Sequence, residues 1–310
     1  MEKQNLSFCD QLPVWLTLAN RLEDEGQYNL AKQLNAAAES LTRRAAYEMK
    51  HPPLEREDLI QQVETAVEMI GEFDINTELV DALQTGLAAM KEERLPSIEE
   101  TPNPYVCRTC GHVEVGAAIK CPVCGAWPET FQEILPVYWL EELDPIESIS
   151  ALRHTPFVIQ ELMQDLPEKV LRQPDGDGGW SIREILLHLR DAQELLETRV
   201  DQLINREKPV FDPQALFSLS HEDQESQSTQ SIFAEYRQSR LHMVPLLEGI
   251  PLKSWWNSGL HKEFGQVTLH QQVSYFALHE ITHLPKIQEL RKISRKDSST
   301  RTNCSVEAIS

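Results

Sequence analysis

Two groups of side chains have the types and spacing for chemistry. The first is Cys107-Arg-Thr-Cys110-Gly111-His112 and Cys121-Pro-Val-Cys124-Gly125-Ala126, with ten residues between Cys110 and Cys121. Each Cys-x-x-Cys-Gly lets two thiolates converge, and the glycine permits a turn whose backbone N–H groups point at sulfur. Four such thiolates suit Zn²⁺ or iron, and about thirty residues with so little apolar content need the metal in order to fold. The second group is imidazole. Eight of the ten histidines follow residue 150. His279 and His283 are four apart, so on a helix they share one face. His188 stands among Ile185, Leu186, Leu187 and Leu189, where an unpaired polar ring is costly and must be hydrogen-bonded or ligated. The other five histidines after residue 150 have no partner at ligand spacing.

The cysteine segment, with Tyr105 and Phe131 at its edges, resembles the small rubredoxin-type domain that ends rubrerythrins. That resemblance implies one iron passing single electrons. Zinc ribbons use the same ligands, so Fe and Zn both stay open. Rubrerythrins also carry a di-iron bundle, which needs two Glu-x-x-His motifs and two further glutamates. The first hundred residues hold a single histidine, His51, in Glu48-Met-Lys-His51 before Pro52-Pro53. The resemblance therefore stops at the cysteine knot.

Two metal readings compete for the histidines. His279-Glu280-Ile281-Thr282-His283 matches His-Glu-x-x-His, in which Glu280 would be the general base of a zinc peptidase. A third ligand is then needed downstream, where only 27 residues remain. The second reading covers more sequence. Trp180-Ser-Ile-Arg-Glu-Ile-Leu-Leu-His188, then Gly265-Gln-Val-Thr-Leu, then His279-x-x-x-His283 together resemble the DinB-like superfamily of four-helix metalloproteins. This resemblance implies that His188, His279 and His283 bind a divalent metal, Zn or Ni. It also implies a small-molecule substrate, with a low-molecular-weight thiol among the partners, as in superfamily members that are thiol S-transferases. Three imidazoles leave a coordination position open, the arrangement of catalytic zinc. Glu280 would face the site as a base or lie in solvent. Trp255 and Trp256, on the loop entering the last helix, are candidate walls of a substrate pocket.

The elements that must position these groups follow from hydrophobic period. Residues 1–100 read as an acidic helical domain, with breaks at Gly26, Pro52-Pro53 and 73–76. Residues 103–134 form the rubredoxin-like Cys₄ domain, and 145–293 a DinB-like bundle with helices at 146–166, 181–205, 228–248 and 269–293. Pro285 should kink the last of these. Residues 294–310 are polar and aperiodic, a disordered tail. The expected fold class is mainly α: an N-terminal helical segment, a small metal knot and a C-terminal four-helix bundle.

Composition narrows the function classes. The chain has 310 residues, 29 basic against 49 acidic side chains and a net charge of −20, with 9 basic against 20 acidic in residues 1–100. No basic cluster suits a phosphate backbone or an anionic bilayer, so neither nucleic acid nor membrane is an expected partner. The start lacks a basic-then-apolar signal, and paired cysteines indicate metal in a reducing compartment, so the expected location is cytoplasmic. A homodimer is compatible with all of this. Three functions are in play: a three-histidine metal enzyme acting as thiol S-transferase or hydrolase, a rubredoxin-like electron-transfer protein, and a zinc-stabilised binding or scaffold module.

Overall fold

Leucine, isoleucine and alanine at three- and four-residue steps give helices wherever proline and glycine do not interrupt them. A computed structural model describes residues 8–49, 55–73, 75–116, 119–135, 142–174, 179–212 and 226–304. Its N-terminal part is two helical hairpins. Helix α1 (Phe8–Asp24) packs on α2 (Tyr28–Glu48), and α3 (Arg56–Glu72) on α4 (Thr77–Lys91). Gly26, at φ +74°, supplies the left-handed turn between the first two. Asn76 caps α4, accepting from the Leu79 N–H at 2.9 Å, and donates to the Val113 carbonyl at 2.9 Å. One side chain thus ends a helix and fastens it to the cysteine knot.

The knot is a three-stranded antiparallel sheet of β1 (Pro104–Cys107), β2 (Val113–Val115) and β3 (Phe131–Glu133), in the order β2-β1-β3. Tyr105 pairs with Glu114 on one side and Glu133 on the other.

The C-terminal part is a four-helix bundle of α5 (Pro145–Met163), α7 (Ile182–Asn205), α8 (Thr229–Glu248) and α9 (Leu269–Cys304), with α6 (Glu168–Leu171) in the first connection. The long helices pack chiefly in the cycle α5–α8–α7–α9. Asp144 and Ser181 open α5 and α7 with reciprocal capping boxes to Glu147 and Glu184. The fold is mainly α, as the periodicity predicts. Among the described residues no helix is long and apolar enough to cross a membrane.

Two differences from the sequence reading stand out. The last helix runs through residue 293 to Cys304, so 294–304 are helical rather than an irregular tail, and 305–310 lie outside the described residues. A second small sheet also joins β4 (Val210–Phe211) in parallel to β5 (Ser258–His261), which pairs antiparallel with β6 (Gly265–Thr268). The linker after α4 docks on it, the Ile98 N–H donating to the Lys262 carbonyl at 3.1 Å.

The apolar core of the bundle falls into two clusters. One gathers Leu152, Ala192, Leu196, Met243, Phe276 and Ala277; the other Ile159, Leu187, Leu189, Tyr236, Ile287 and Leu290. Buried polar side chains stand where the two meet: His188, Gln193, Arg240, His279 and Glu280.

Candidate metal centres

The sequence-predicted histidines converge. His188 lies two turns into α7, and His279 and His283 lie one turn apart on α9. Nε2 of His279 is 2.9 Å from Nε2 of His188 and 3.2 Å from Nε2 of His283. The ring centroids are 4.8 to 5.0 Å apart, and the ring planes cross at 64° to 84°. One ligand atom from each ring lies within 4.8 Å of the others. At a metal–nitrogen bond of about 2.0–2.1 Å, tetrahedral ligand atoms stand about 3.3 Å apart, so the two short separations have the scale of a metal's coordination shell.

The electrostatics point the same way. Burial, reinforced by the rings of His188 and His283, pushes His279 down to about 3, and burial lowers His283 as well. These rings are neutral at physiological pH, and a neutral imidazole is the form that binds metal. A cation at the centre would be met by ring nitrogens already turned toward one another.

Two aromatic rings hold the imidazoles from outside. Trp180, the residue before the α7 cap, stacks on His283 with centroids 6.2 Å apart and planes 7° from parallel, and lies 5.0 Å from His188. Tyr275 stacks on His279 at 6.2 Å, one turn earlier on α9. Trp180 is the aromatic wall of the site; in the sequence it is marked only by its place in the motif that runs to His188.

The two tryptophans expected to wall a pocket, Trp255 and Trp256, are elsewhere. Trp255 is buried in the first apolar cluster, and Trp256 is exposed with its ring edge against His270 at 5.0 Å. They end the 3₁₀ turn before β5, and His279 lies ten residues into α9, about 15 Å along its axis. Neither ring stands beside the three imidazoles, and Trp256 lies against His270 in the first turn of α9.

Glu280 is likewise neither a base at the histidines nor solvent-exposed. It is 1 % exposed. It is ion-paired to Arg240, whose Nη1 donates to Oε2 at 3.0 Å and whose Nη2 donates to Oε1, and Tyr236 Oη donates to Oε2 at 3.0 Å. Burial opposes the Arg240 charge, but Glu280 beside it more than offsets that effect and holds its pKa above the ordinary value. Among the described residues no carboxylate joins the histidine cluster. The step of about 100° from residue 279 to 280 carries the glutamate around the helix and away from the imidazoles.

The cysteines form the second cluster. Sγ of Cys107 is 3.7 Å from that of Cys124, and Sγ of Cys110 is 3.6 Å from that of Cys121. A tetrahedral tetrathiolate with bonds of about 2.3 Å requires about 3.8 Å. Against the effect of burial, the N–H groups of Cys110 and Thr109 pull the Cys107 thiol down to about 6. The His112 N–H favours the Cys110 thiolate, yet burial and the neighbouring thiols outweigh it and push that thiol up to about 12. Four sulfurs this close cannot all carry charge alone, and a divalent cation removes that restriction.

Comparison with known proteins bears on the C-terminal part of the chain. Residues 151–287 match the family model of the DinB superfamily. Over that stretch, less than half of the chain, the C-terminal segment resembles this superfamily. The match spans α5 to α9 and contains all three histidines. Among solved structures, the DinB-like segment is similar to YfiT from Bacillus subtilis, described as a probable metal-dependent hydrolase with an unusual four-helix bundle topology. The identity is 19%, with 52% of this chain and 93% of that chain covered and a TM-score of 0.45. Comparison with curated proteins returned no match.

Proposed function

We propose that His188, His279 and His283 hold one divalent cation, zinc or nickel, and that the DinB-like bundle is a metal-dependent enzyme acting on a small molecule by hydrolysis or thiol S-transfer. The convergence of three imidazole Nε2 atoms in a buried layer, with no carboxylate among them in the described residues, carries this reading. A cation held by three imidazoles supplies Lewis-acid activation of a nucleophile, water or a low-molecular-weight thiolate, at an open position. The chain orients the ligands and restricts water. Trp180 and Tyr275 fix two of the ring planes by stacking. The commitment of Glu280 to Arg240 and Tyr236 removes it as a proton acceptor, which argues against peptidase chemistry of the His-Glu-x-x-His kind.

The test is metal analysis joined to assay. Purified protein should carry one metal at the cysteines and a second at the histidines, and His188→Ala/His279→Ala should lose the second alone. The same variant should lose activity in a screen of electrophiles with thiols and of hydrolysable amides and esters. Retention of both metals by the variant would reject the histidine site.

A second reading rests on the knot. Cys110 and Cys124 are exposed, with Val123 and Trp127 exposed beside them, an arrangement open to an electron-transfer partner. Iron would make the protein red with absorption that bleaches on reduction, whereas zinc would leave it colourless and give the knot a structural role.

A further inference from the structure

The buried polar layer between the two apolar clusters has one hub, Arg240 on α8, itself 1 % exposed. Its Nη1 donates to the Leu152 carbonyl of α5 at 3.0 Å and to Glu280 of α9 at 3.0 Å, and its Nε donates to Gln193 Oε1 of α7 at 2.8 Å. Its Nη2 reaches both Gln193 Oε1 and Glu280 Oε1. One planar group therefore bonds to the three other helices of the bundle. It does so at the level of the histidines: Gln193 is five residues beyond His188, and Glu280 is the neighbour of His279. Gln193 is itself steadied by its Nε2, which donates to Glu197 at 3.1 Å.

Such a layer is poorly explained by stability. A buried ion pair is often no better than apolar side chains of the same volume, whereas separating its partners is strongly unfavourable. Its particular property is directional. Leucine and isoleucine packing tolerates small slips, but a one-residue slip of α9 turns its side chains by about 100° and moves them about 1.5 Å. Glu280 would then leave the fork of Arg240, and His279 and His283 would leave His188. The same displacement breaks both sets.

We infer that Arg240, acting through Glu280 and Gln193, is the positioning residue that sets the register of α9 against α7 and so assembles the three-histidine site. Tyr236 completes the device: its Oη donates to Glu280 Oε2 at 3.0 Å, and its ring centroid lies 5.3 Å from the Arg240 guanidinium carbon. The inference rests on the proposal that these histidines bind a cation.

The experiment titrates full-length protein, its cysteine site already loaded with zinc, with Co²⁺, and follows affinity and the visible ligand-field spectrum. Arg240→Met/Glu280→Leu removes both charges at similar volume. We expect it to keep wild-type helicity and an equal or higher melting temperature, to bind Co²⁺ about 10- to 100-fold more weakly, the range for lost supporting contacts, and to show an altered spectrum. Arg240→Lys, which keeps charge but not the fork, should lie between the two proteins. Should the double variant not fold, Glu280→Gln replaces it, with several-fold weaker binding expected at unchanged helicity. Wild-type affinity and spectrum in a folded variant would overturn the positioning role while leaving the metal site standing. Undiminished cobalt uptake by His188→Ala/His283→Ala would instead overturn the metal reading, and the positioning role with it.

Discussion

Trp180 lies close enough to two of the three imidazoles to report on what they hold. Its ring is 5.0 Å from His188 and parallel to His283, so a paramagnetic cation at the cluster would quench its fluorescence. The chain has six tryptophans, and Trp255 and Trp256 sit at the other end of the bundle. Titration with Co²⁺ or Ni²⁺ should therefore quench part of the emission, and Trp180→Phe should abolish most of that change while preserving affinity within a few-fold. An equal fractional quench in the variant would place the cation elsewhere. The residue types alone identify the histidines because only a few side chains bind metal and their spacing on one helix is fixed. The fate of Glu280 is not legible in that way. Its partner Arg240 is forty positions distant, and a glutamate on a helix reads as solvent-facing until the packing of α8 on α7 and α5 is known.

At the scale of elements, the long helices are legible because three or more turns of apolar period leave little choice. Helix α7 spans Ile182–Asn205 where the pattern places 181–205. The second sheet is the opposite case. Strand β4 has two residues, and its partner β5 lies some fifty positions later, so neither carries enough alternation to be recognised. Gly259 marks the junction. A Cβ there would come within 2.7 Å of the Pro209 carbonyl and of the Phe211 ring, far inside contact distance. Only glycine lets the two strands close. Gly259→Ala should cost about 1–3 kcal/mol through overpacking, read as a lower urea midpoint at unchanged slope, while the histidines, on other elements, keep their metal. Unchanged stability would mean that β4 does not press on β5 in solution.

For the whole molecule, one attachment between its parts runs through that same sheet. The linker leaving α4 is held by Ile98 on Lys262, and Ile98 packs beside Gly265 in the same hairpin. His261 in turn accepts from Arg199 Nη2 at 3.0 Å, and Arg199 Nη1 donates to Gln272 at 2.9 Å, tying the hairpin to α7 and α9. Burial, and then the adjacent Arg199 charge, push His261 down to about 4. An imidazole with its pKa near 6.5 in the unfolded chain and lower in the folded one takes up its proton first on unfolding. Stability is then at its full value above pH 6.5, declines as the pH falls toward 4, and levels off below. The shift sets an upper bound of about 3 kcal/mol for this one residue. His261→Gln keeps an acceptor for Arg199 but cannot titrate. Denaturation followed from pH 7 to pH 4 should show a shallower acid decline for the variant than for the wild type, with the residual slope coming from the metal-site histidines and the carboxylates. Parallel curves would remove His261 from the acid response. A loss in the wild type of hydrogen-exchange protection at Ile98 within the same window, before the helices open, would show that this proton reaches the joint between the linker and the bundle.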